Sequence, residues 1–335
     1  MLQALALKVF FFVPIWVLKI FFFKKLTVIR GHQFDPQAAA FLSVTPKTNL
    51  SVLSDNQIAE TRKTIDESRK KNKLSLSPSS KITKKDHLLP NHKLLLREYQ
   101  PINCDEKKAV LYFHGGGYVL SSVDTHDDMV SYMSDSLGIK FYSLDYRLSP
   151  ENKYPDSLND ALEAYAWLIN KGFSPKEISV CGDSAGAHLA ASMVHYLSNR
   201  DQELPGSQFL IYPMCDPSCS TESYELLSSG YFLTKSNMIW FWDKLRGHKE
   251  DDVDSSFNLL KFDFEKKLPS TIIVTAGFDP LCDEGEIYAY LLHKGKHNVK
   301  QLHYPAMFHG FASVTKLKAA QIAVEDFLRE YKKIL

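Results

Sequence analysis

Gly182-Asp183-Ser184-Ala185-Gly186 sets a serine between two glycines, each two residues away. Where a strand gives way to a helix, that spacing makes a tight, strained turn. The turn lifts the serine hydroxyl out of the sheet, and the glycines leave room for the bend. Residues 178–181 read as the strand and 185–197 as a helix of small residues, so the context is present. In an ordinary turn the pentapeptide would mean little; here Ser184 is a candidate nucleophile for acyl transfer. Upstream, His114-Gly115-Gly116-Gly117 follows the apolar run at 109–113. Acyl transfer builds negative charge on a carbonyl oxygen, and N–H groups that glycines bring close stabilise that charge. The rival reading, a phosphate loop, lacks the closing Gly-Lys-Ser/Thr.

A nucleophilic serine on such a turn needs an acid and then a histidine later in the chain. Asp279 lies just past the strand-like run 271–275, and His309 follows another at 299–304. Loops at the carboxyl ends of parallel strands are where such groups assemble. His309 would take the proton of Ser184 and return it to the leaving group, with Asp279 fixing its tautomer. Other residues compete less well. Asp283 and Glu284 lie further into the next helix, where an acid is commonly a cap or dipole partner. His303 falls within a strand, and His293 and His297 lie around a helix end. Asp183 adjoins Ser184, but a tight turn aims it elsewhere.

These residues must be positioned by an alternating framework. Strands are predicted at 109–113, 140–144, 178–181, 209–212, 271–275 and 299–304, with helices at 156–170, 185–197 and 314–331. Before them, residues 34–73 read as helical and charge-rich, with Ser54 or Asp55 as the cap of a helix around 58–69. A Ser-rich linker at 74–80 and a hairpin at 82–88 and 93–99 come next. Such alternation predicts an α/β fold with a mostly parallel sheet covered by helices on both faces. Residues 213–267 break the rhythm. Their aromatic clusters Tyr231-Phe-Leu and Trp240-Phe-Trp242 suggest helices lying over the sheet. The expected organisation is therefore an apolar segment at 1–30, the first part of a helical cap at 31–80, and a catalytic domain at 81–335 with a cap insertion at about 213–267.

A formal net charge of +1 argues against a nucleic-acid partner, and the lysines between Lys63 and Lys85 read as a solvated face. Five cysteines are an odd, sparse set, better read as reduced thiols than as a disulfide framework. Cys215 and Cys219 have no second pair or close histidine to complete a zinc site, so neither metal nor cofactor is expected. Residues 2–23 are almost wholly apolar, interrupted by Gln3, Lys8 and Lys19 and by a helix-breaking Pro14. The two lysines fall on one side of a helix and can snorkel together. A cleaved signal peptide fits poorly without a cleavage site, and a spanning helix would bear two costly charges. A shallow membrane anchor is expected, with Lys24, Lys25 and Arg30 keeping the rest of the chain on the cytoplasmic side. Packing of this segment on the protein's own surface or on a second subunit is the alternative. Oligomeric state is not legible.

Taken jointly, His114-Gly-Gly-Gly117, Asp145-Tyr-Arg-Leu-Ser-Pro-Glu151, Gly182-Asp-Ser-Ala-Gly186, Asp279-Pro-Leu281 and His309-Gly-Phe311 resemble the hormone-sensitive lipase family of α/β-hydrolases, which includes many bacterial carboxylesterases. Weaker likeness at Phe34-Asp-Pro-Gln37 and Ser229-Gly-Tyr-Phe-Leu-Thr234 extends it from about residue 34 to the end. The resemblance implies an α/β-hydrolase core with a helical cap that shapes the acyl pocket. It implies that Gly116, Gly117 and Ala185 donate the oxyanion-hole N–H groups, that Gly115 allows the turn, and that His114 organises the loop. It also implies hydrolysis of short- to medium-chain acyl or aryl esters, small molecules, without metal or cofactor. The apolar start is similar to that of the arylacetamide deacetylases of the same family, which puts amides in play through the same triad. A non-catalytic ligand-binding protein on this fold would have lost the histidine, and His309 is present.

Overall fold

Each residue from Ala109 to Phe113 is apolar or aromatic and fully buried. A run like that needs cover on both faces, which a parallel sheet between helical layers supplies. The computed structural model describes Val17 and residues 27–45 and 50–335. The membrane anchor expected at 1–30 thus lies almost wholly outside the described residues. Among the described residues no helix is long and apolar enough to cross a membrane.

The strands are β1 (Val28–Ile29), β2 (His32–Gln33), β3 (Ile82–Leu88), β4 (Leu95–Pro101), β5 (Asp105–Phe113), β6 (Ile139–Leu144), β7 (Ile178–Asp183), β8 (Ser207–Ile211), β9 (Ser270–Phe278) and β10 (Val299–Phe308). β1 and β2 form a small ribbon; the rest form one eight-stranded sheet in the order β10-β9-β8-β7-β5-β6-β4-β3. The β3–β4 hairpin joins β6 antiparallel, and all other neighbours are parallel. The helices are α1 (Pro36–Val44), α2 (Asp55–Lys71), α3 (Asp127–Leu137), α4 (Asp156–Asn170), α5 (Ala185–Asn199), α6 (Glu222–Leu226), α7 (Lys235–Leu245), α8 (Cys282–Lys294) and α9 (Lys318–Tyr331). Side chains alternate across the sheet. Leu111 and Phe113 pack with Leu158 of α4, Met193 of α5 and Leu292 of α8. Val110 and Tyr112 pack with Met129 of α3 and Phe327 of α9 on the other face.

The predicted strands are all present, with ends unchanged or moved by a few residues (209–212 becomes Ser207–Ile211), and α4 spans the predicted 156–170. Helix α3 went unforeseen, although Met129, Val130, Met133 and Leu137 have helical spacing and are buried. The closing helix starts at Lys318 and not at 314, because Phe311–Ser313 closes a 3-10 turn first.

Register explains how distant residues meet. Phe113 pairs with Gly182, and Asp183 with Ile211, so β5, β7 and β8 end level. Along β10, Tyr304 pairs with Ala276 but Phe308 pairs with Phe278, so β10 carries extra residues in a bulge around Pro305. Bulges of this kind re-aim side chains near functional sites. The bulge fits because Gly277 has no side chain: a Cβ there would stand 2.2 Å from the Pro305 carbonyl oxygen. The residues after Phe278 and Phe308 are Asp279 and His309, which therefore leave the sheet side by side.

Candidate active site

Ser184 stands alone between the end of β7 and the start of α5, at φ 56° and ψ −119°. A non-glycine residue in this region costs on the order of 1–3 kcal/mol and persists only where its surroundings enforce it. Here the Ser184 N–H donates to the Ile211 carbonyl at 2.8 Å, and its own carbonyl accepts from His188 N at 3.0 Å. The flanking glycines let α5 press onto the strands. A Cβ on Gly182 would lie 2.3 Å from the Gly186 carbonyl, and one on Gly186 would lie 1.9 Å from the Phe113 carbonyl oxygen.

His309 Nε2 lies 2.9 Å from Ser184 Oγ, and His309 Nδ1 lies 2.7 Å from Asp279 Oδ2. Asp279 is wholly buried, while Ser184 retains a sliver of exposure. The other Asp279 oxygen accepts from Leu281 N at 2.9 Å, which fixes the carboxylate plane. The competing residues turn away. Asp283 accepts from Arg30 and from Ser223 N, Glu284 accepts from Cys215 N, and His297 bonds the Phe264 carbonyl. His303 faces Thr275 and Glu286. The structure thus brings together the three residues the sequence pointed to, from three different strand ends.

The glycine loop is held from two sides. Gly116 and Gly117 adopt φ of 123° and 62°, conformations that need glycine. A Cβ on Gly117 would meet the Phe241 ring at 2.2 Å, so backbone and ring are in close approach. Ala185 is the first residue of α5, where the N–H has no carbonyl partner within its helix. The Gly115 N–H, in contrast, donates to Asp183 Oδ1 at 2.9 Å, in keeping with a turn-forming role for Gly115. Burial pushes the His114 imidazole down to about 3, so it is neutral near pH 7. Its Nδ1–H donates to the Gly115 carbonyl at 2.8 Å and its ring stacks on Tyr146 at 4.4 Å. His114 therefore braces the loop.

Asp183 is the residue that sequence reasoning undervalued. It does point away from Ser184, but into the glycine loop, where Oδ1 accepts from Tyr112 Oη at 2.5 Å and from Gly115 N. Burial alone would raise its carboxyl; the His126 imidazole at 3.5 Å and these hydrogen bonds hold it down to about 2. The available signal was an acid placed inside a turn whose neighbours are all buried. Asp183→Ala is expected to lower kcat for ester hydrolysis about tenfold to a hundredfold, somewhat less than deleting an oxyanion donor outright. Asp183→Asn keeps an acceptor for the Gly115 N–H and should retain more activity. Steady-state rates of the folded variants check this; equal rates for wild type and Asp183→Ala would remove the bracing role.

Around this centre the 213–267 segment supplies aromatic walls. On α7, Phe241 touches Gly117, and Trp242 meets the His188 ring edge-on at 5.2 Å. The Tyr212 ring is 4.7 Å from that of His309. Lys244 of α7 pairs with Asp55 of α2 at 2.7 Å, joining the insertion to the N-terminal helices. Arg62 of α2 donates to the Val119 and Ser149 carbonyls at 2.7 and 2.6 Å, tying that helix to the loops after β5 and β6.

Comparison with known proteins agrees with this geometry. Residues 110–313 match a family described as having the alpha/beta hydrolase fold. The chain is 32% identical over 244 residues to an ethyl acetate hydrolase of Pseudomonas putida, covering 70% of this chain and 75% of that one. It is 31% identical over 268 residues to an arylesterase of Saccharolobus solfataricus, covering 77% and 85%. Among solved structures, a hyperthermophilic esterase of the archaeon Pyrobaculum calidifontis superposes with a TM-score of 0.81 at 28% identity, covering 90% of this chain and 98% of that one.

Proposed function

The chain belongs to the α/β-hydrolase family, in its hormone-sensitive-lipase-like branch, and is a carboxylesterase; from that premise we propose that Ser184, His309 and Asp279 are its catalytic triad and that Gly116, Gly117 and Ala185 form its oxyanion hole. One observation carries the assignment: the relay of hydrogen bonds from Ser184 Oγ to His309 Nε2 at 2.9 Å and from His309 Nδ1 to Asp279 Oδ2 at 2.7 Å. With Nδ1–H donated to the carboxylate, the lone pair of Nε2 faces the serine hydroxyl. Ser184 Oγ attacks the ester carbonyl as its proton passes to Nε2. Charge on the tetrahedral oxygen falls to the three N–H groups, and His309 then protonates the departing alcohol. A water deprotonated by His309 attacks the acyl-enzyme, and the acid leaves as Ser184 regains its proton.

Residues 31–80 and the insertion at about 213–267 form the cap in this reading, and residues 81–335 supply the catalytic domain. Phe241 beside Gly117 and Tyr212 beside His309 crowd the site, which favours short- to medium-chain acyl or aryl groups. Purified protein is expected to hydrolyse p-nitrophenyl acetate and butyrate with a kcat/KM more than about tenfold above that for the palmitate ester. A hydrophobic pocket discriminates by roughly 1–3 kcal/mol per methylene it cannot hold. Preference for palmitate would overturn the short-chain assignment. Within residues 1–30, the apolar run at 2–23 with Lys24 and Lys25 is assigned to a membrane surface on the cytoplasmic side, while Arg30 is held by Asp283 and Glu222. Fractionation of the full chain beside residues 27–335, which keep β1 and Arg30, tests this, and identical partitioning would remove it.

A further inference from the structure

Away from the Ser184 hydroxyl, α8 and β10 bring together a thiol, a carboxylate and an imidazole. Cys282 opens α8, Glu286 lies one helical turn on, and His303 projects from β10. Glu286 Oε1 is 3.7 Å from Cys282 Sγ and 3.4 Å from His303 Nδ1, and the three ligand atoms all lie within 4.8 Å of one another. Zinc bonds of about 2.3 Å to sulfur and about 2.0–2.2 Å to nitrogen or oxygen, set tetrahedrally, place ligand atoms roughly 3.3–3.6 Å apart. The two spacings to Glu286 come within a few tenths of an ångström of that requirement, and the thiol and imidazole close the remaining gap by side-chain rotation. Cys282 is buried, whereas the Glu286 and His303 side chains are 41% and 33% exposed, which gives an ion a path from solvent. Thiolate with imidazole selects zinc over magnesium or calcium, which prefer oxygen ligands alone.

We propose that Cys282, Glu286 and His303 form a zinc-binding site, with water in the fourth position, that ties α8 to β10 behind the catalytic loop. Binding expels the Cys282 thiol proton to solvent, leaving a thiolate on the ion. Thr275 Oγ1, now 2.9 Å from His303 Nδ1, gives up that hydrogen bond when the nitrogen takes the ion. The Cys282 N–H donates to the Asp279 carbonyl at 3.0 Å, so the site adjoins the turn that carries the triad acid. Sequence spacing concealed it, because the thiol and carboxylate share a helix while the imidazole comes from the next strand.

The test uses the full chain stripped with EDTA. One equivalent of Zn2+ is expected to bind in competition with a chromogenic chelator and to raise Tm. Co2+ in its place should produce a thiolate-to-cobalt charge-transfer band. Cys282→Ser and His303→Ala should each lose the binding, while metal-free hydrolysis of p-nitrophenyl butyrate persists in both. His303 is solvent-exposed, so its replacement keeps the fold even if Cys282→Ser does not. Absence of the charge-transfer band, or zinc affinity unchanged in His303→Ala, would overturn the proposal; in the latter case the ion sits elsewhere, for instance on His309.

Discussion

Ser184→Ala is expected to lower kcat for p-nitrophenyl acetate by about 10^4- to 10^6-fold while KM changes little. The alanine keeps the backbone at φ 56°, where serine already bears the same strain, and loses only the hydroxyl 2.9 Å from His309. The fold is therefore retained, and circular dichroism with an unchanged Tm should show it. What survives is catalysis of water attack by the oxyanion N–H groups alone, of order 10^3- to 10^4-fold over the uncatalysed rate in enzymes of this type. Because nucleophile and base act as a unit, Ser184→Ala/His309→Ala should be scarcely worse than Ser184→Ala alone. Rates within tenfold of wild type would mean that another group attacks the ester.

The legible part of the site was the part encoded by chain order and strand ends. Ser184, Asp279 and His309 follow one another as this architecture demands; the first two come directly after buried strands, and His309 after a strand buried only at Met307 and Phe308. Apolar runs such as 109–113 and 272–274, set between helical segments, fit central strands of a parallel sheet covered on both faces. What stayed hidden depends on register and on contacts across the sheet. The β10 bulge at Pro305 sets His309 beside Asp279, and it exists because Gly277 on the neighbouring strand yields the space. Neither residue signals this alone. The bond from Asp183 to Gly115 likewise joins residues 68 positions apart, and a carboxylate beside a nucleophile reads in sequence as a bystander. Helix α3 is a different case: its apolar spacing at Met129, Val130, Met133 and Leu137 is present in the sequence, but its first turn carries no capping side chain to mark where it starts.

Asp279→Asn should lower kcat by about 10^4-fold near neutral pH, roughly 5.5 kcal/mol of transition-state stabilisation, although the change is nearly isosteric. The reason lies in the second hydrogen bond of the carboxylate. Leu281 N donates to Asp279 Oδ1 at 2.9 Å within a wholly buried turn, and that N–H must keep an acceptor. In the asparagine variant the amide oxygen takes that place, which turns the NH2 group toward His309 Nδ1. A donor there forces Nδ1 to accept, so the ring proton moves to Nε2 and points at Ser184 Oγ. That tautomer cannot receive the serine proton, and nucleophile activation fails with the geometry intact. Asp283→Asn is the matched control. Its carboxylate, four residues on, pairs with Arg30 and the Ser223 N–H and touches neither His309 nor Ser184. That variant should stay within about threefold of wild type, because the partly buried Arg30 pair it weakens lies away from the reacting atoms. Parallel kcat measurements on the two variants decide the assignment, and a larger loss in Asp283→Asn than in Asp279→Asn would transfer the orienting role to Asp283.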